Sequence, residues 1–274
     1  MRIDSSGVSL KVEVDGPADG QPVVLLHGFP DTGRLWTRQV TALSEAGYRV
    51  VVPDQRGCGE SDKPADVDAY NIVLLAADIV AVLDGLGIEK AHVVGHDWGS
   101  AVAWTVASFA PERVGRLVAM SVGHPLAFRS VGFEQLEKSW YMLLFQFEGI
   151  AEQWLSANDW ANFRSWGRHP DADAVIADLE AHGSLTSGLN WYRANVHPRS
   201  LLEEPPAFPP VKVPTLGVWS TGDFALTEAQ MSGSSAFVEA EWEYRRLEGP
   251  GHWMQIEAPD EVNRVLLEYL QPPS

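Results

Sequence analysis

Residues 91–100 read Ala-His-Val-Val-Gly-His-Asp-Trp-Gly-Ser. An apolar strand pattern over His92–Val94 runs straight into Gly95-His96-Asp97-Trp98-Gly99, and a helical pattern follows from Ser100 to Phe109. This is the frame of a nucleophile elbow with Asp97 where a serine usually stands. In such an elbow a strand turns sharply into a helix, and the apex residue is held in a strained backbone conformation. Only small residues fit two positions to either side, which Gly95 and Gly99 satisfy. The apex side chain then points into a crevice at the helix N-terminus, where the helix dipole favours a carboxylate. The same five residues also describe an aspartate capping a helix after a tight turn, so the rest of the chain has to decide.

On either side of the elbow, strand and helix patterns alternate. Val8–Val14 alternates apolar and polar residues as a half-exposed strand does, and Val23–Leu26 is a continuous apolar run of the buried, parallel kind. Leu35–Ala46 has helical spacing and stops at Gly47; Tyr48–Val52 is a further strand, Tyr70–Leu86 an amphipathic helix, Leu117–Val122 another strand. The rhythm breaks at His124-Pro125. Residues 126–205 carry helical patterns and many aromatics, and EEPPAFPPVKVP follows at 203–214, too rich in proline for a helix. Strands return at Thr215–Trp219 and Trp242–Leu247, with a closing helix at Glu261–Leu270.

The expectation is an α/β fold. A mostly parallel sheet, flanked by helices, is formed by residues 1–125 and 206–274, and a helical insertion at 126–205 follows the strand ending near Val122. In such sheets the ligand crevice lies beyond the carboxyl ends of the strands. The polar residues there are His27-Gly28-Phe29-Pro30, Asp54, His96-Asp97-Trp98 and His124.

Composition narrows the function. The chain has 274 residues, 45% of them hydrophobic and 21% charged, which suits one large globular domain or two small ones. Its formal net charge of -17 disfavours nucleic acid and anionic membranes as partners. A single cysteine, Cys58, rules out an internal disulfide or a Cys-rich zinc site. No signal peptide and no long apolar run is visible, so a cytoplasmic enzyme is expected.

Two residues complete a constellation with Asp97. Asp223 follows the Thr215–Trp219 strand in Ser-Thr-Gly-Asp, and His252 stands in Gly-His-Trp near the C-terminus, expected after the penultimate strand. Nucleophile, acid, histidine is the chain order of the α/β-hydrolase triad. The loop at His27–Pro30 fits an oxyanion hole, with the backbone N–H groups of Phe29 and Trp98 as donors.

With those residues in place, the chain resembles the α/β-hydrolase superfamily over its whole length, and within it the soluble, cap-bearing epoxide hydrolases. The resemblance rests on HGFPD at 27–31, DQRGCGESD at 54–62, GHDWGSAVAW at 95–104, WYMLLFQFEG at 140–149, NWYRAN at 190–195, STGDF at 220–224 and GHWMQIEAPDEV at 251–262. The core motifs are shared with haloalkane dehalogenases. The two cap motifs are more specific: Tyr141 ahead of Phe145-Gln146, and Tyr192 within Trp-Tyr-Arg. The resemblance implies an epoxide hydrolase in which Asp97 forms a covalent alkyl ester and Tyr141 and Tyr192 donate to the epoxide oxygen. Phe145, Trp98 and Trp191 are then expected in the substrate pocket.

The chemistry of the residues agrees. A carboxylate that attacks an acyl carbon gives a mixed anhydride; at an sp³ carbon bearing a leaving group it gives a stable ester. The oxyanion hole beside Asp97 then serves the second step, when water activated by His252 and oriented by Asp223 attacks the ester carbonyl. An epoxide oxygen leaves as an alkoxide and needs a proton, which a phenol with a pKa of about 10 carries at neutral pH. A halide needs only N–H donors, so a haloalkane or haloacid dehalogenase using the same three residues is the nearest alternative. A non-catalytic small-molecule receptor on a hydrolase fold is the alternative of another class.

No HExxH or other metal spacing and no phosphate loop is present, so neither metal nor cofactor is expected; the partners are a small apolar epoxide and water. Ser100, Cys58 and His96 are given no chemical role, and His124, at a strand end, is a candidate for contact with the crevice.

Overall fold

Buried, β-branched runs supply the centre of the sheet. The computed structural model describes residues 1–204 and 207–271. Its eight strands are β1 (Arg2–Ser5), β2 (Val8–Asp15), β3 (Pro22–Leu26), β4 (Arg49–Pro53), β5 (Ala91–His96), β6 (Val114–Met120), β7 (Thr215–Ser220) and β8 (Trp242–Leu247). They lie in the order β1-β2-β4-β3-β5-β6-β7-β8. β1 and β2 run antiparallel to their neighbours, and every other pair is parallel. The chain leaves β3 for β4 on one side and returns to β5 on the other. The carboxyl ends of β3 and β5 therefore flank the reversal point where a doubly wound sheet opens its crevice.

Helices α1 (Thr37–Glu45), α2 (Ile72–Gly85) and α3 (Trp98–Phe109) follow β3, the β4 loop and β5. α2 and α3 pack over one apolar face of the sheet, and α1 covers the other together with the C-terminal helix. β1 is not among the expected strands, since its four residues are too few for a periodicity to register, and one expected strand is shorter. β6 stops at Met120, because Ser121 has a positive φ of 69° and cannot continue a strand.

Between β6 and β7 lie α4 (Pro125–Ser130), α5 (Phe133–Lys138), α6 (Trp140–Leu144), α7 (Ile150–Gly167), α8 (Ala172–His182) and α9 (Leu185–Asn195). α7 is broken at Ala157–Trp160, where the backbone leaves helical geometry. α9 is stitched to the sheet-bearing part by its polar side chains. Trp191 Nε1–H donates to the Arg56 carbonyl (3.0 Å), and Asn195 accepts from Ile72 N–H (2.7 Å) and donates to the Tyr70 carbonyl (2.9 Å). The downstream edge expected for the insertion, between 205 and 206, lies outside the described residues. After it come β7, α10 (Glu228–Ser232), β8, α11 (Met254–Glu257) and α12 (Pro259–Leu270). Among the described residues no helix is long and apolar enough to cross a membrane.

Candidate active site

The elbow has the geometry its glycines imply. Asp97 sits between β5 and α3 at φ 52°, ψ −125°, a conformation that costs a side-chain-bearing residue roughly 1–3 kcal/mol. A Cβ on Gly95 would lie 2.2 Å from the Gly99 carbonyl oxygen, and one on Gly99 would lie 2.1 Å from that of Leu26. Both contacts are with backbone, so neither glycine is replaceable without moving a strand.

The β3 loop meets the elbow directly. Phe29 N–H donates to Asp97 Oδ1 at 3.0 Å. A Cβ on Gly28 would fall 2.2 Å from Asp97 Oδ1 and 2.7 Å from Trp98 N, so the two amides and the carboxylate share one small space. Oδ1 is thus held, while Oδ2 faces His252 Nε2 at 3.6 Å.

His252 follows β8, which is the last strand rather than the penultimate one. Its Nδ1–H donates to Asp223 Oδ2 at 2.9 Å. Asp223 Oδ1 accepts from the N–H groups of Ala225 (2.9 Å) and Leu226 (3.0 Å). Burial raises the Asp223 pKa, but the His252 charge and hydrogen bond, with the Ser121 hydroxyl, outweigh it and hold the carboxyl below its ordinary range. Burial lowers the His252 pKa, yet Asp223 and Asp97 together lift it to about 10. His96 donates no chemistry: its Nε2 lies 2.9 Å from the His252 carbonyl oxygen, and burial beside the His252 ring lowers its pKa to about 4, leaving it neutral.

Above this trio, Tyr141 on α6 and Tyr192 on α9 are both buried, their ring centroids 6.0 Å apart. Burial, and then the charge of Asp97, push both phenols well above their ordinary pKa, so they stay protonated. A cavity of about 210 Å³ is lined by Asp97, Trp98 and Tyr141, with apolar walls from Leu126, Phe128, Met142, Val196, Phe208 and Leu226.

Two expected pocket residues are elsewhere. Phe145 and Trp191 are fully buried and do not line this cavity. Tyr192 is not among the lining residues either; it stands beside Tyr141, which is. Phe145 packs edge-on against Tyr192 (5.0 Å) and Tyr141 (5.4 Å), and Trp191 against Trp98 (6.0 Å), so both lie behind Tyr141 and Trp98. His124 also misses the cavity, although Gly123 and Pro125 reach it; its ring is stacked on Phe237. The sequence reading had no signal for Ser121, or for the tie of Asp31 to His169 (3.1 Å) and Trp253 (2.9 Å), which joins the insertion to the histidine loop. Among the described residues no group of three His, Cys, Asp or Glu side chains could hold a metal ion.

An alpha/beta hydrolase fold family model matches residues 21–259. The chain is 36% identical to the AB hydrolase superfamily protein YfhM of Bacillus subtilis, covering 98% of this chain and 96% of that one. It is 33% identical to epoxide hydrolase A of Mycobacterium tuberculosis, with the same coverage of 98% and 96%. The chain belongs to the epoxide hydrolases of the α/β-hydrolase fold family. A solved epoxide hydrolase of Bacillus megaterium superposes with a TM-score of 0.89 at 29% identity, over 98% of this chain and 99% of that one. Family membership makes the protein a hydrolase of epoxides, with an epoxide and water as its reactants.

Proposed function

We propose that this epoxide hydrolase opens a small apolar epoxide to a vicinal diol through an alkyl ester on Asp97, beneath a cap formed by residues 126–205. One observation carries the reading. A carboxylate, one oxygen bound by an amide and the other open toward His252, borders an apolar cavity together with a neutral phenol, and a second buried phenol stands beside the first.

In the first step Asp97 Oδ2 attacks an epoxide carbon, the C–O bond breaks, and the departing oxygen takes a proton from Tyr141 or Tyr192. His252 enters this step cationic, since the two carboxylates raise it to about 10. Esterification removes the Asp97 charge, which lowers the proton affinity of the imidazole. The tyrosinate takes that proton back, directly or through solvent, and His252 becomes a base. In the second step His252 removes a proton from water and the hydroxide adds to Cγ of Asp97. The amides of Phe29 and Trp98 hold the oxyanion. Collapse expels the second alkoxide, which takes the proton of the new carboxyl group. Aspartate, imidazolium and phenol are restored, and one water has been consumed.

The apolar cavity walls favour an unfunctionalised alkyl or aryl epoxide. We place the enzyme in the cytoplasm.

A single turnover in ¹⁸O-water tests the covalent step. The diol from the first turnover should carry no solvent oxygen, and the label should enter Asp97. Solvent oxygen in that first diol would show that water attacks the epoxide directly.

A further inference from the structure

Ser121, the first residue beyond β6, stands in neither the elbow nor the histidine and acid motifs, yet the fold spends strain to place it among them. Its φ is 69°, and Val122 N–H donates across it to the Met120 carbonyl at 2.9 Å. That is a γ-turn of the rare, positive-φ kind. The turn is clamped from several sides. Ser121 N–H donates to the Val218 carbonyl of β7 at 2.8 Å, and the Ser121 carbonyl accepts from Gln230 Nε2 at 2.8 Å. Gln230 Oε1 accepts from Gly123 N–H, and a Cβ on Gly123 would lie 2.2 Å from the Gln230 carbonyl oxygen.

The result is a fully buried hydroxyl aimed at the other two groups. Ser121 Oγ–H donates to Asp223 Oδ2, and its oxygen lies 3.0 Å from His252 Nδ1. With its own proton given to Asp223, the oxygen can only accept from Nδ1–H. That N–H is therefore shared between Asp223 Oδ2 and Ser121 Oγ, which fixes the plane of the imidazole as well as its tautomer.

We propose that Ser121 is a positioning residue for the hydrolytic half-reaction, holding Asp223 and His252 in the geometry that activates water. The proposal rests on the reading of Asp223 and His252 given above. It separates the two steps. Ester formation needs Asp97 and the phenols and does not call on Ser121; ester hydrolysis needs an oriented imidazole. The hydroxyl also shares the carboxylate's charge: each donor on Asp223 Oδ2 weakens its pull on the Nδ1 proton. The titratable and charged groups facing this pair are few. Among the described residues they are Asp97, His96 with its ring centroid 4.7 Å from that of His252, Tyr141 of α6, whose phenol feels the Asp223 charge, and Lys138 of α5, whose ammonium donates to the Asp223 and Phe224 carbonyls. Arg168 lies over the Phe224 ring.

Ser121→Ala and Ser121→Gly test this with rapid-quench measurement of ester formation and breakdown. Both variants lack the hydroxyl, but glycine also releases the positive-φ strain, so the pair distinguishes the side chain from the backbone turn and the glycine variant keeps the fold accessible. We expect both variants to form the ester within about two-fold of the wild-type rate. Both should hydrolyse it about 10-fold more slowly, with the acid limb of the hydrolysis profile moved upward by roughly half a pH unit. KM should fall along with kcat, because ester accumulates. A Ser121→Gly enzyme that hydrolyses the ester at the wild-type rate with an unmoved profile overturns the role of the hydroxyl. Solvent oxygen in the diol of the first wild-type turnover would instead overturn the underlying mechanism.

Discussion

The floor of the site (Asp97, Asp223 and His252) and its roof (Tyr141 and Tyr192) are built by different means, and of these five Asp97 and Tyr141 line the cavity itself. On the floor, Asp97 and Asp223 are fixed by backbone: a strained apex, two glycines that touch carbonyls, and amides on both carboxylates; His252 is then held by Asp223. In the roof, Tyr141 and Tyr192 are fixed by rings, each packed edge-on against Phe145, with Phe29 and Trp98 against Tyr192 and Trp166 against Tyr141. Backbone geometry is all-or-none, because a carbonyl cannot yield to a methyl group. Ring packing is graded, because an aromatic cluster can settle around a lost hydroxyl or a smaller ring. The floor should therefore fail abruptly on substitution and the roof by degrees.

The roof provides the sharpest contrast. Tyr141→Phe together with Tyr192→Phe should slow epoxide opening by about 10²–10⁴-fold, the worth of a general acid. Each single change should leave measurable turnover, because the other phenol remains beside it. Single-turnover rates of ester formation check this, and a single variant as slow as the double one would show that the two hydroxyls act as one unit. The smallest effect is expected behind the roof. Trp191→Phe removes the hydrogen bond to the Arg56 carbonyl and should cost about 1 kcal/mol of stability while changing epoxide opening little. Denaturant unfolding checks the first part. A collapse of activity with stability intact would put Trp191 among the groups that meet the substrate.

This difference also explains what could be read from the sequence. The floor is written in short-range signals: glycines two residues from the apex, polar residues at strand ends, and a fixed chain order for nucleophile, acid and base. Asp97, Asp223 and His252 follow from those signals because local backbone rules place them. The roof is written in helix packing. Tyr141 and Tyr192 came from resemblance, while Phe145 and Trp191 looked like pocket walls and stand one layer behind, since nothing in an aromatic-rich helix says which ring faces the cavity. Phe128 and Phe208 face it instead. Ser121 escaped because a serine after a strand is among the commonest of turn residues. Its significance lies in a backbone angle and in contacts with residues 102 and 131 positions away.

The covalent ester on Asp97 is the claim on which the mechanism turns, and His252→Gln tests it most directly. Glutamine cannot take a proton from water, while Asp97, the amides and both phenols stay in place. Mixed with an apolar epoxide, quenched in acid and weighed intact, this variant should gain the mass of one epoxide, and peptide mapping should place it on Asp97. An unmodified protein after the epoxide has been consumed, or an adduct on any other residue, would contradict the account.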